Sequence, residues 1–171
     1  FLAYVITSPD IGQLSSTSLQ HGGLTKDTLA QHQFYRIAST LVLHFTPFHL
    51  GLNILSLAVL GRHITVILGN ARFITIFFGS ALTGSLLSLA YSPFYTVVGA
   101  SGAILGLFGA YLLLCLKYQS DLPGSVFVPI RLVALGLVAQ VAFDVVVDDV
   151  DVFSHIGGIL FGSLYAFGVS H

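Results

Sequence analysis

The sequence predicts an all-α polytopic membrane helix bundle, and three observations carry that reading. Charged residues fill only 8% of the 171 positions, six Lys and Arg against seven Asp, with no Glu. Hydrophobic types make up 55%, and the mean hydropathy is +0.92. Positions 73 to 116 form a run of 44 residues without one charged side chain. A soluble domain keeps roughly 25% of its residues charged so that its surface stays wet. This chain cannot cover a water-facing surface, which excludes a soluble enzyme, a disordered tail and a coiled coil. A net charge of −1 without a basic patch also argues against nucleic acid as a partner. Lipid is the solvent that remains.

A helix crosses a bilayer in ~20 residues, so the uncharged run holds two spans. The break falls at YSPFYTVVGAS, where Pro93 and Gly99 interrupt the helix. The predicted spans are Phe48–Leu68, Phe73–Tyr91, Ser101–Leu116, Val126–Val146 and Phe153–Val169. Pro129 stands near the start of the fourth of these, where proline is tolerated. FLAYVITSPD reads as the end of a further span that begins before residue 1, for six in all and one domain over 1–171. Between it and the next span, Pro9–Tyr35 is rich in Ser, Thr, Gln and Gly and shows no helix period. A connection of that length is usually functional or disordered.

Loop charges predict the orientation. Arg62 and Arg72 flank one connection, Lys117 and Arg131 another, while Asp10, Asp27, Asp144, Asp148, Asp149 and Asp151 lie in the others. Basic residues are retained on the cytoplasmic side, so the long first loop and the acidic last loop lie outside. Asp144 could be read as the acid of a triad, but eleven residues separate it from His155 and it lies among other acids, so a solvated face is the favoured reading. Cys115 is the one cysteine, which excludes an intramolecular disulfide and reads as a small buried hydrophobe.

Polar side chains are expensive in lipid, so those inside the spans are informative. In HFTPFHLGLN, His49 and Asn53 are four apart and share a helix face that Ser56 extends, with His44 just before. Such a pair can bond neighbouring helices together or serve a site. In GASGAILGLFG, Ser101 opens a helix between Gly99 and Gly102. Serine there is a usual N-cap, but the amides of a helix start also stabilise an anion. In SHIGGILFG, His155, Gly158 and Gly162 share one face. Gly102 with Gly106 and Gly158 with Gly162 are two small-xxx-small pairs, which let two helices pack backbone to backbone. That packing would bring His155 to Ser101, at matching depth, as a serine–histidine dyad with no acid required.

These residues together resemble the rhomboid intramembrane serine proteases. The resemblance rests on His44-Phe-Thr-Pro-Phe-His49-Leu-Gly-Leu-Asn53, on Gly99-Ala-Ser101-Gly102, and on Ser-His155-Ile-Gly-Gly158 with Gly162. Tyr35-Arg36, where the family often has Trp-Arg, and Leu60-Gly61 with Gly69 add to it. It covers essentially the whole chain and implies a six-span rhomboid-like core with the first span truncated. It also implies Ser101 as nucleophile and His155 as general base. The Ser101 N–H with the His49 and Asn53 side chains would form the oxyanion hole, with His44, Gly99, Gly102 and Gly158 in support. The long first loop would lie at the membrane interface, and the fifth span with the loop after it would gate substrate entry. Two departures stand out. Leu105 occupies a position where many members have a tyrosine under the histidine, and Thr65 one where many have a glutamate after the second span.

The function expected is therefore intramembrane proteolysis. The partners would be transmembrane protein substrates in a lipid membrane, plasma or inner, with no metal or cofactor and an oligomeric state that the residues leave open. Two other classes compete. A non-catalytic relative that binds or escorts membrane clients would usually lack the serine or the histidine, and both are here. A transporter or channel would spread polar residues through the membrane, whereas these cluster at one end of their spans. A zinc site from His44, His49 and His155 lacks an HExxH string and a carboxylate at helical spacing.

Overall fold

The computed structural model describes residues 21–44, 47–92, 96–118, 131–136, 138, 140 and 150–169. Among them the regular structure is helical, apart from one isolated antiparallel bridge between Leu24 and Val97. Two short helices, α1 (Lys26–Ala30) and α2 (Tyr35–Ser39), precede a 3-10 turn at Thr40–Val42. Four long helices follow: α3 (Pro47–Leu68), α4 (Asn70–Tyr91), α5 (Ser101–Tyr118) and α6 (Val152–Val169). Residues 131–136 are also helical.

All four long helices are long and apolar enough to cross a membrane, and they coincide with four of the expected spans. The predicted first span, most of the predicted Val126–Val146 span and the acids Asp144, Asp148 and Asp149 lie outside the described residues. Ile54, Leu55, Val66, Phe78 and Leu164 are exposed on the outer faces. Exposed apolar side chains on every long helix suit a lipid solvent and no aqueous one. The chain is thus an integral membrane helix bundle.

The helices are not equivalent. In α5, 11 of 18 residues are buried, against 4 of 22 in α3. α5 is therefore the central helix, and its composition explains why. Gly102, Gly106 and Gly109 form a notched face on which α6 lies, and α5 with α6 is the most extensive helix pair. The other faces of α5 bury Leu107, Ala110, Tyr111 and Leu114 against Leu60 and Ile64 of α3, Ile76 of α4 and Ala166 of α6. Cys115 belongs to this cluster, as a small hydrophobe should.

Two boundaries differ from expectation. The turn between α3 and α4 is the single residue Gly69, at φ 85°, rather than the four residues 69–72 between the predicted spans. Glycine reaches that φ without a Cβ clash, so one residue suffices to reverse the chain. Thr65 consequently sits on α3, its hydroxyl bonded to the Arg62 carbonyl at 2.9 Å, and not in a loop. The long first connection also carries short helices. Thr25 and Thr28 form a capping box at the start of α1, a local signal that needs no apolar period.

Candidate active site

The end of the bundle where α5 and α6 begin is organised by the loops that lead into it. Before Ser101, the segment at Val97–Gly99 is held from two sides. Val97 exchanges backbone hydrogen bonds with Leu24 at 2.8 and 3.2 Å, and the Gly99 N–H donates to the Thr40 carbonyl at 2.9 Å. The first loop is held in turn by Arg36, which is buried and donates to the Gly23 carbonyl at 2.7 Å and to Gln33 Oε1 at 2.6 Å. Arg36 therefore braces the first loop, which the Leu24–Val97 pair joins to the approach of α5. Gly99 adopts φ 101°, the left-handed region that glycine tolerates, and this turns the chain into the helix at Ser101.

Ser101 is the first residue of α5, and His155 lies in the first turn of α6. The imidazole Nε2 of His155 stands 2.8 Å from Ser101 Oγ, in hydrogen-bond geometry across 54 residues of chain. The helix spacing that allows this comes from the glycines. A Cβ on Gly158 would stand 1.9 Å from the Gly102 carbonyl oxygen, and one on Gly162 would stand 1.9 Å from that of Gly106. Only backbone-to-backbone packing brings two helices so near. His155 is buried and Ser101 half-buried. Leu105 is buried as well, and the Ser101–His155 contact forms with leucine at that position.

His49 and Asn53 come from the first turns of α3. Gly99 lies between the His49 ring and Ser101: a Cβ on it would be 3.3 Å from His49 Cε1 and 3.8 Å from Ser101 Oγ. His49 thus faces the same small volume as Ser101. Asn53 is buried, and its Nδ2 donates to the His49 carbonyl at 3.1 Å. That bond uses one of the two N–H groups of the amide. His44, also buried, stands edge-on to His49 with ring centroids 5.0 Å apart. Burial holds the His44 imidazole below its ordinary pKa, with the Val42 backbone acting weakly in the other direction. Among the described residues, no three His, Cys or Asp side chains converge as a metal site would require.

Asp151, expected simply as one of the acids of the last loop, is tied into the bundle. It is half-buried, its carboxylate accepts hydrogen bonds from Ser88 Oγ and from the Ser154 N–H, and it immediately precedes α6. A signal was present in the sequence: an Asp three residues before Ser154 and directly ahead of an apolar run is an N-cap pattern. Its three acidic neighbours concealed it.

A family model described as Rhomboid domain matches residues 31–171. The chain belongs to the rhomboid family. Among its rhomboid relatives, the Rhomboid protease GluP of Bacillus subtilis is 30% identical over 148 residues, which is 86% of this chain and 28% of that protein. The Putative rhomboid protease YdcA of the same organism is 29% identical over 140 residues, covering 81% of this chain and 69% of that protein. The RHOMBOID-like protein 6, mitochondrial, of Arabidopsis thaliana is 32% identical over 168 residues, covering 94% of this chain and 52% of that protein. This rhomboid chain thus spans little more than a quarter of GluP and about half of the Arabidopsis relative.

Proposed function

We propose that this rhomboid chain is an intramembrane serine endopeptidase that cleaves transmembrane segments of other membrane proteins. The observation that carries the proposal is the 2.8 Å contact between His155 Nε2 and Ser101 Oγ. A serine hydroxyl is a weak nucleophile until a base takes its proton, and an imidazole within hydrogen-bond reach is such a base. In this role neutral His155 carries its proton on Nδ1 and accepts the hydroxyl proton on Nε2. Ser101 Oγ attacks the scissile carbonyl, and the carbonyl oxygen becomes an oxyanion. The imidazolium then returns the proton to the leaving amine, and a water repeats the cycle on the acyl-enzyme.

The oxyanion needs donors aimed at the charge that develops. Ser101 opens α5, and the first N–H groups of a helix have no partner within it. The Ser101 N–H, the His49 ring across Gly99 and the second N–H of Asn53 are the donors in this reading. One such donor is worth about 3 kcal/mol in the transition state. The names of GluP and YdcA, both termed rhomboid proteases, support the same class of reaction.

The test uses the protein in detergent or liposomes, with a fluorophosphonate probe and a transmembrane substrate. Labelling at Ser101 is expected, and Ser101→Ala and His155→Ala should each lose both labelling and cleavage while remaining folded. A folded wild-type protein that takes no label would overturn the proposal in favour of a client-binding role. Unchanged turnover in Ser101→Ala would remove that residue from the chemistry.

A further inference from the structure

We infer that Asp151 is a positioning residue for His155, acting through a three-point clasp that joins α6 to Ser88 of α4. The inference rests on the proposed role of His155. Its observations are independent of that role.

His155 occupies the fourth position of α6, within the first turn. A helix start is its weakest part, because its leading N–H groups lack intrahelical acceptors and the turn frays. Asp151 fills this gap in two ways. Its Oδ1 accepts the Ser154 N–H at 3.1 Å, and its backbone carbonyl accepts the His155 N–H at 3.2 Å. The conformation of the residue that carries the imidazole is therefore fixed by Asp151 directly.

The third point is Oδ2, which accepts the hydroxyl proton of Ser88. Ser88 is 1% exposed and lies in the last turns of α4. The carboxylate thus spans two helices. Close glycine contact already sets the distance between them, since a Cβ on Gly157 would be 2.8 Å from the Thr83 carbonyl oxygen. Smooth backbone contact of this kind constrains separation far better than it constrains sliding or rotation. A hydrogen bond depends on direction as well as distance, so it can fix the register. A further hydrogen bond between α4 and α6 runs from Thr83 Oγ1 to the Gly157 carbonyl; it is longer, 3.3 Å, and shares its donor with the Gly79 carbonyl, and the Tyr91 and Phe153 rings also meet with centroids 5.8 Å apart. A small rotation of α6 would swing the imidazole of His155 away from Ser101 Oγ. Displacements of that order weigh heavily on a reaction that needs aligned groups.

The experiment pairs catalysis with a measurement that does not need it. Histidine is labelled with 15N in the full chain in micelles, and the His155 ring signals are assigned by their loss in His155→Gln. Ser101→Ala gives the ring signals of a His155 without its hydroxyl partner. Ser88→Ala keeps the cap of α6 and deletes the tie to α4, so it is the deciding variant. In Ser88→Ala the His155 signals should move toward those of Ser101→Ala, and kcat should fall about tenfold with KM within twofold. Asp151→Ala should do the same to a larger extent. Asp151→Asn should restore both readouts, because asparagine caps a helix well and its amide can donate to Ser88 Oγ. If Asp151→Ala does not fold, Ser88→Ala and Asp151→Asn decide alone. Wild-type ring signals and wild-type kcat in a folded Ser88→Ala would overturn the inference and leave Asp151 a cap only. Signals that respond as described in a wild-type protein with no protease activity would uphold the clasp and defeat the proposed function.

Discussion

Gly158 on α6 lies against the backbone of Gly102 on α5 with no room for a methyl group, a Cβ there standing 1.9 Å from the Gly102 carbonyl oxygen. The contacting atom is backbone, so it cannot rotate aside as a side-chain tip would. Gly158→Ala must separate the two helices that carry Ser101 and His155. The expected result is a destabilisation of about 1–3 kcal/mol, the usual range for overpacking, together with loss of fluorophosphonate labelling. Gly168 provides the control on the same helix, since a Cβ there meets nothing within 4 Å. Gly168→Ala should hold or gain up to about 1 kcal/mol, because alanine restricts the unfolded chain more than glycine does. Unfolding midpoints in detergent, read beside labelling, separate the two outcomes.

Acid should weaken the fold through His44. The residue is 6% exposed, and the Val42 backbone, which favours its charged form, acts less strongly than burial. Burial disfavours the imidazolium, which lowers the pKa in the folded protein below 6.5. The unfolded chain titrates near the ordinary value of about 6.5. Between the two values the unfolded state holds more protons. The contribution of His44 to stability is therefore full above about pH 6.5 and declines as pH falls toward the lower folded value, by at most about 1.4 kcal/mol per pH unit. Unfolding midpoints taken from about pH 7.5 to about pH 5.5 should fall less in His44→Leu than in the wild type. Equal slopes in the two proteins would assign the acid sensitivity to other groups.

The Ser101–His155 contact was legible in the sequence because its cause is regular. Gly102 with Gly106 and Gly158 with Gly162 repeat at helical spacing, a pattern that lets two helices come into backbone contact with Ser101 and His155 at their starts. The four long helices were legible for the same reason, a continuous apolar signal. α1 and α2 were not, since five residues are too few to display a 3.6-residue period, and only the Thr25–Thr28 box marks the first of them. Asp151 was hidden by composition: four acids close together read as one solvated group, while the partner that distinguishes this one, Ser88, is 63 residues away. Spacing predicted that His49 and Asn53 share a face. It carried no information on the Asn53 bond to the His49 carbonyl, because an amide has several local acceptors within reach.

The first loop contains a strained residue that can be relieved. His32 adopts φ 60° after α1, with its N–H bonded to the Leu29 carbonyl and the Gln33 N–H bonded to the Thr28 carbonyl, both at 3.0 Å. This is the bond pair of a Schellman ending, whose left-handed position glycine fills best. A side chain there costs about 1 kcal/mol. The His32 ring recovers part of this against Phe34, the centroids being 5.7 Å apart. His32→Gly should slow proteolysis of the 21–44 segment and protect its amides from hydrogen exchange. Faster cleavage would mean that the ring contact outweighs the backbone strain.

Gly69 and Gly99 both have a positive φ and differ in what surrounds them, which allows strain and site geometry to be separated. Their φ angles are 85° and 101°. Alanine at either position meets a penalty of roughly 1–2 kcal/mol for a Cβ at positive φ. Around Gly69 a Cβ would find open space, so Gly69→Ala should lower the unfolding midpoint and leave labelling of Ser101 unchanged. Around Gly99 the same Cβ would stand 3.3 Å from His49 Cε1, so the ring must shift by a few tenths of an ångström. An oxyanion donor acts at 2.7–3.1 Å, and a displacement of that size removes much of its effect. Gly99→Ala should therefore lower the unfolding midpoint as well and fall at least tenfold below Gly69→Ala in kcat, with substrate binding little changed. Equal kcat in the two variants would show that His49 makes no contribution to the transition state.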